Sequence, residues 1–217
     1  MAYYLRTAYN CLYHKYFNKS KSFLEEFVWN SRAGFFDIDM FMHINNASYL
    51  SLAEYARWAW IYSSNLNEKL GKLGLAPIIG CIAIRYRKQI RLFQPYTIKS
   101  KLIHFEDKAF YLVQKFYLKN QLACSILMKC FLNGKNGIVN PIPVFEGLYP
   151  KEKLPMAEFG SADHDGLSTF HALESFLLEK PIEPPVLSSS PSPSQSPVSS
   201  SSHVPLVKEK TEIEKSS

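Results

Sequence analysis

The sequence predicts an α+β domain in which an antiparallel sheet wraps around one central helix. Three observations carry that prediction. After Asn46, "ASYLSLAEYARWAWIYSS" is apolar or aromatic on nearly every turn, with Ser48, Ser51, Glu54 and Arg57 as its few polar members ahead of the closing serines, and such a helix is buried on most of its sides. Downstream, strand-like segments alternate between apolar and polar residues, and the last ones are separated by turns as short as "EDK" and "KNQ", which makes neighbours antiparallel. One further strand-like stretch, "EFVWNSRAGFF", precedes the helix.

Taken in order, residues 1–22 form a basic, aromatic segment. "MAYYLRTAYNCLYHKYFNKSKSFL" contains no acidic residue. It reads as an interfacial amphipathic helix or a transit peptide, with a weak membrane-surface contact expected, or as a surface helix packing its tyrosines on the domain. The domain proper is expected over residues 23–145. Its helix runs from about Ala47 to Tyr62, and Asn45 or Asn46 is the natural N-cap. "IIGCIAIRYRKQIRLF" then alternates as a strand. "YTIKSKLIHF" places Ile98, Ser100, Leu102 and His104 on one face, with Thr97, Lys99, Lys101 and Ile103 on the other. "AFYLVQKFYL" and "LACSILMKCFL" complete the sheet. Residues 146–180 mix helix-like pieces with Gly and Pro and read as a peripheral extension. Within them, "DHD" at Asp163 to Asp165 reads as a loop, because no His/Cys cluster accompanies it to hold a metal. Residues 181–217 are rich in Ser and Pro and too poor in large apolar side chains to offset ordering entropy, so a disordered tail is expected.

Composition narrows the function classes. The chain has 217 residues, 47% apolar and 14% aromatic, enough for one densely packed domain with tails. Its net charge of +6 favours anionic partners such as phosphates, coenzyme tails or a lipid surface. The aromatics alternate with the core set instead of interleaving with an exposed basic face, which argues against nucleic acid. Cys11, Cys81, Cys124 and Cys130 show no paired spacing, so neither a disulfide framework nor a metal is expected, and a reducing compartment is. No run reaches the roughly 20 apolar residues of a membrane span. A cytoplasmic, membrane-associated or mitochondrial location fits these features. No cofactor is expected.

The chemistry concentrates in "FFDIDMFMHINNASYL", Phe35 to Leu50. Asp37 reads as a turn or strand-end residue. Asp39 is a candidate base or an Asx turn. His43 is a site residue or a satisfied core histidine, and Asn46 a structural cap or a ligand. Glu54 is an alternative acid, or a partner for Arg57. "IRYRKQIR" gathers Arg85, Arg87, Lys88 and Arg91, as a seat for phosphates or as a solvated face.

Asp37-Ile-Asp39, His43-Ile-Asn45-Asn46, Tyr49-Leu50 and Glu54-Tyr-Ala56-Arg57 together resemble the signature of the hot-dog-fold acyl thioesterases. The matching members are the 4-hydroxybenzoyl-CoA and long-chain acyl-CoA thioesterases, with the plant acyl-carrier-protein thioesterases more distant. The resemblance covers roughly Phe23 to Leu132. It implies the hot-dog fold and hydrolysis of a fatty acyl-CoA or related acyl thioester to free acid and thiol. A homodimer is expected from the element order itself, because a nearly all-apolar helix needs cover on most sides and the sheet edge or helix flank left open is closed by a second subunit. It implies Asp39 as the catalytic carboxylate, with His43 and Asn45 beside it, and backbone N–H groups from Asn45 to Ala47 polarising the carbonyl. Asn46, Tyr49, Glu54, Arg85 and Arg87 are the substrate-binding candidates. Two positions depart from the family pattern. Acyl-CoA members usually have Gly where this chain has Met42, and the plant enzymes have Asn where it has Phe41. The competing reading is a hot-dog scaffold that binds acyl chains or a protein partner without turnover. Either way the chemistry needs a carboxylate to activate water or attack, and N–H donors for the developing oxyanion. Apolar Phe36, Met40, Phe41 and Met42 are expected to exclude solvent and wall the acyl chain.

Overall fold

The computed structural model describes residues 2–17, 22–157 and 162–178. The expected tail at 181–217 lies outside the described residues. The elements run α1 (Ala2–Phe17), β1 (Phe27–Arg32), a 3-10 turn (Phe35–Asp37), α2 (Asn46–Ser63), α3 (Leu66–Lys72), β2 (Ala76–Tyr86), β3 (Pro95–Phe105), β4 (Phe110–Leu118), β5 (Gln121–Gly134), β6 (Gly137–Val139), α4 (Pro141–Leu148) and α5 (Ala162–Leu178). The sheet has the order β1-β3-β4-β5-β2, with β6 pairing β5, and every described pairing is antiparallel.

The apolar helix takes its expected place. Tyr49, Leu52, Ala53, Tyr55, Ala56, Ala59 and Trp60 of α2 are buried and share one core with Ile98, Leu112, Phe116, Ile126 and Met128 of the sheet. Polar atoms under the helix are matched. Gln114, fully buried, donates through Nε2 to Ala53 O at 3.0 Å and Ser100 Oγ at 2.9 Å, and accepts from Arg57 at 2.8 Å. A half-satisfied network here would be worse than an apolar one.

Several local expectations are corrected. The first strand ends at Arg32, and Phe35 to Asp37 turn instead of extending. The second ends at Tyr86, so 87–94 is a connection. The β3 alternation holds through Leu102, then a register shift between Leu102 and His104 turns His104 off the inner face and lets Phe105 join the core. Ile103 stays on the outer face that the alternation gives it, packed with Ala109, Tyr111, Leu167 and Phe170. The last two belong to α5, which therefore covers that outer face. Asp163 to Asp165 lie in the first turn of α5, not in a loop. α1 packs along α2, with Cys11 and His14 buried and Tyr9, Tyr13 and Tyr16 exposed, the reverse of tyrosines packed on the domain. No helix among the described residues is long and apolar enough to cross a membrane.

Candidate active site

The loop between β1 and α2 is built by its own aspartates. Asp37, buried, accepts the Gly34 N–H on Oδ2 at 2.8 Å, while its backbone carbonyl accepts the Asn45 N–H at 2.9 Å. It fastens both ends of the loop, a structural duty. Asp39 N–H donates to His43 O at 3.0 Å and Asp39 O accepts the Met42 N–H at 3.0 Å, closing a tight turn. Its Oδ1 accepts the Phe41 N–H at 2.9 Å, an Asx-type bond, and its Oδ2 lies 3.5 Å from His43 Nδ1. The His43 Nδ1 also sits 3.3 Å from Ile44 O, and its ring stacks on Phe41 with centroids 6.0 Å apart. The Asx turn is formed, and the second carboxylate oxygen is left beside His43. One oxygen organises the turn and the other faces the histidine.

Asn45, not Asn46, caps α2. Its backbone is extended (φ −60°, ψ 142°) and its Oδ1 accepts the Ala47 N–H at 2.8 Å. Asn45 O accepts the Ser48 N–H at 2.9 Å. Of the N–H groups expected to polarise a carbonyl, those of Asn45 and Ala47 are therefore occupied. The Asn46 N–H has no acceptor among the described residues, and it sits at the positive end of the helix dipole.

His43 and Asn46 line a surface pocket of about 210 Å³ with Tyr49, Tyr86, Arg87 and Lys88. Tyr86 hydroxyl donates to Asn46 O at 2.9 Å, and Tyr49 packs edge-on against Tyr86. Burial, and the nearby Cys124, push the Tyr49 phenol up to about 12. The sequence reading missed Tyr86, although it sits inside the basic run that supplied Arg85 and Arg87. Arg85 is exposed on β2 and is not among the residues lining this pocket. Glu54 lines a different cavity of about 310 Å³, apolar for the most part and bounded by Arg57, Trp58 and Ile61 of α2 and Pro77 to Ile79 of β2. The expected acyl wall is not formed in the single chain. Phe36, Met40, Phe41 and Met42 line neither cavity and all are exposed.

The profile of the thioesterase-like superfamily matches residues 34–147, more than half of the chain, and takes in this loop from Gly34 on. The chain belongs to that superfamily. Its thioesterase-like relatives include the Xenopus laevis protein named THEM6, 37% identical over 93 residues, 42% of this chain and 45% of the relative. The Danio rerio THEM6 is 29% identical over 131 residues, 60% and 65% of the two chains. These matches span less than two thirds of the relatives' own length. A shorter match, 31% identical over 74 residues (34% of this chain, 56% of the relative), is to the Escherichia coli long-chain acyl-CoA thioesterase FadM. Among solved structures, the probable thioesterase YbaW from Escherichia coli superposes with a TM-score of 0.52 at 23% identity, over 55% of this chain and 93% of that one. The 1,4-dihydroxy-2-naphthoyl-CoA thioesterase Slr0204 from Synechocystis does so at 0.50 and 11%, over 60% and 100%. The shared architecture is the hot-dog fold.

Proposed function

We propose that this thioesterase-like chain hydrolyses a fatty acyl-CoA, or a related acyl thioester, to free acid and thiol. The observation that carries the reading is the Asp39–His43 pair, 3.5 Å apart, on a loop that ends at the unoccupied Asn46 N–H. In this mechanism the thioester oxygen points at the Asn46 N–H, which stabilises the charge as the carbonyl carbon is attacked. Asp39 either takes a proton from the attacking water, or attacks directly to give a mixed anhydride that water then hydrolyses; in both cases the C–S bond breaks and the thiolate takes up the proton that water supplies. His43 orients Asp39 and the water. Arg87 and Lys88 on the pocket rim, with Arg85 on the neighbouring strand, match the phosphates of a coenzyme tail.

The acyl chain needs an apolar berth, and the 310 Å³ cavity between α2 and β2 supplies one. Its β2 wall is an edge strand whose Ile78, Ile79 and Ile82 are exposed in the single chain. An apolar edge of this kind is a pairing template, and we take a homodimer through β2 as part of the reading. α1, which exposes Leu5, Tyr9, Leu12, Tyr16 and Phe17, supplies a weak contact to a lipid surface, consistent with a membrane-associated location. One observation favours the non-catalytic scaffold instead. Asp39 already spends one oxygen on the Phe41 N–H.

The deciding experiment is hydrolysis by the purified chain across acyl-CoA lengths, alongside sedimentation. Turnover with long acyl chains and a dimer at micromolar concentration are expected. Binding of acyl-CoA without turnover hands the site to the scaffold reading, and a strict monomer removes the dimer.

A further inference from the structure

Two segments rise beside the candidate site as one lobe. The loop 33–45 and the connection 87–94 are tied by Ile44 N–H to Ile90 O at 2.8 Å, Leu92 N–H to Met42 O at 3.1 Å and Phe93 N–H to Ala33 O at 2.9 Å. Buried Ile90 anchors the lobe to the core. Its outer surface carries Phe35, Phe36, Met40, Phe41, Met42 and Phe93, from 51% exposed at Met42 to 91% at Phe36. Single exposed apolar residues are ordinary, but a contiguous patch of six marks an interaction surface.

Two of these residues make the point more sharply. Met42 (φ 60°) and Phe93 (φ 59°) stand in the left-handed region, where glycine is at home and a bulky side chain is strained. Met42 is 51% and Phe93 56% exposed, the latter packed edge-on against Phe35, itself exposed, so burial within the fold repays little of the strain.

Charge identifies the occupant. Arg32, Arg87, Lys88 and Arg91 are exposed around the patch. The two segments hold only two acids, and neither is free to oppose an anion: Asp37 is buried and Asp39 is half-buried against His43. We infer that this lobe docks on an anionic lipid bilayer, its aromatic and Met tips entering the interface and its cations meeting lipid phosphates. Protruding tips suit a soft medium, whereas a protein partner would need matching sockets. A second copy placed across a two-fold axis would set the two cationic rims against each other. The inference rests on the proposed hydrolysis in one respect only: it makes the substrate class long-chain acyl thioesters dissolved in a membrane and presented at the mouth of the site.

The test is flotation of the 217-residue chain with phosphatidylcholine vesicles, with and without phosphatidylserine. The double variant Phe36→Asp/Met40→Asp alters only exposed positions and should melt like the parent. Withdrawing two large apolar tips should lower the vesicle partition constant at least about tenfold. Arg32→Glu/Arg91→Glu should abolish the preference for phosphatidylserine, and Leu5→Asp/Tyr9→Asp in α1 should weaken binding less than the loop variant does. A parent that ignores vesicles overturns the inference, as does a loop variant that binds like the parent. A loop variant that instead converts a dimer to a monomer, or that loses affinity for an acyl carrier protein and not for vesicles, assigns the patch to that other occupant. If the parent floats but hydrolyses no thioester, the proposed hydrolysis falls and the docking surface stands. If it hydrolyses soluble acyl-CoA and never floats, the reverse holds.

Discussion

Asp39 is asked to do two jobs, and substitution separates them. Asp39→Asn keeps an oxygen for the Phe41 N–H but removes the base. Turnover should fall by about 100-fold or more, the scale of a positioned acid–base group, with the melting temperature nearly unchanged. Full activity in that variant moves the search to Glu54. Asn45→Ala probes the opposite balance. The lost Ala47 N–H bond should cost about 1 kcal/mol, read as a lowered denaturation midpoint, while the pocket-facing Asn46 is untouched. An unchanged midpoint would mean that water caps the helix equally well. At this scale the sequence was legible as to membership and ambiguous as to duty. Asp, His and Asn in "DIDMFMHINN" announce a polar loop, but adjacent Asn45 and Asn46 are chemically equal caps. Only the backbone bend selects between them. Phe36 and Met40 misled for a related reason, because apolar character says that a residue avoids water and not whether its own fold provides the shelter.

At the scale of elements, the loop between β1 and α2 carries strain that can be relieved. Met42→Gly removes the side chain that resists φ 60°. Relief of left-handed strain, partly offset by the added freedom of glycine in the unfolded chain, should leave a net gain of up to about 1 kcal/mol, measured by chemical denaturation. Loss of stability would show that the Met42 side chain packs in solution, against a partner chain for example. The helix and the strand order were readable because their periods, 3.6 and 2, are written in the apolar pattern. The register shift in β3 was not. A bulge adds one residue without changing the composition, and it alone sends His104 outward and Phe105 inward.

For the whole molecule, two histidines set an acid limit. Burial lowers the pKa of His14, packed edge-on to Phe27 at 5.5 Å between α1 and the core. Burial also lowers that of His104, with His171 and His164 acting in the same direction and Glu106 opposing them. His104 Nδ1 accepts the Ala157 N–H at 3.3 Å, a bond that a proton on that nitrogen would forbid. Each imidazole holds its proton less tightly folded than unfolded. Below the ordinary value of 6.5 the unfolded chain therefore binds more protons, and stability that is complete above it drains away as the pH falls through the folded values. Melting temperature should be level from about pH 8 to 6.5 and decline below. His14→Leu should make that decline shallower. A flat profile in the parent would mean that neither group is desolvated in solution. The residues around these histidines come from α1, β3 and α5, far apart in the chain, so no local pattern announced them.

The helix laid across the outer face of the sheet has a consequence for valency. With α2 on one side and α5 on the other, both broad surfaces of the sheet are spent within a single copy. Of the sheet's two margins, the one at β2 is apolar, whereas the opposite margin at β1 ends in Asn30, Ser31 and Arg32. A homodimer closed through that margin, as proposed above, would stop growing after its first encounter and would need no separate device to limit its size.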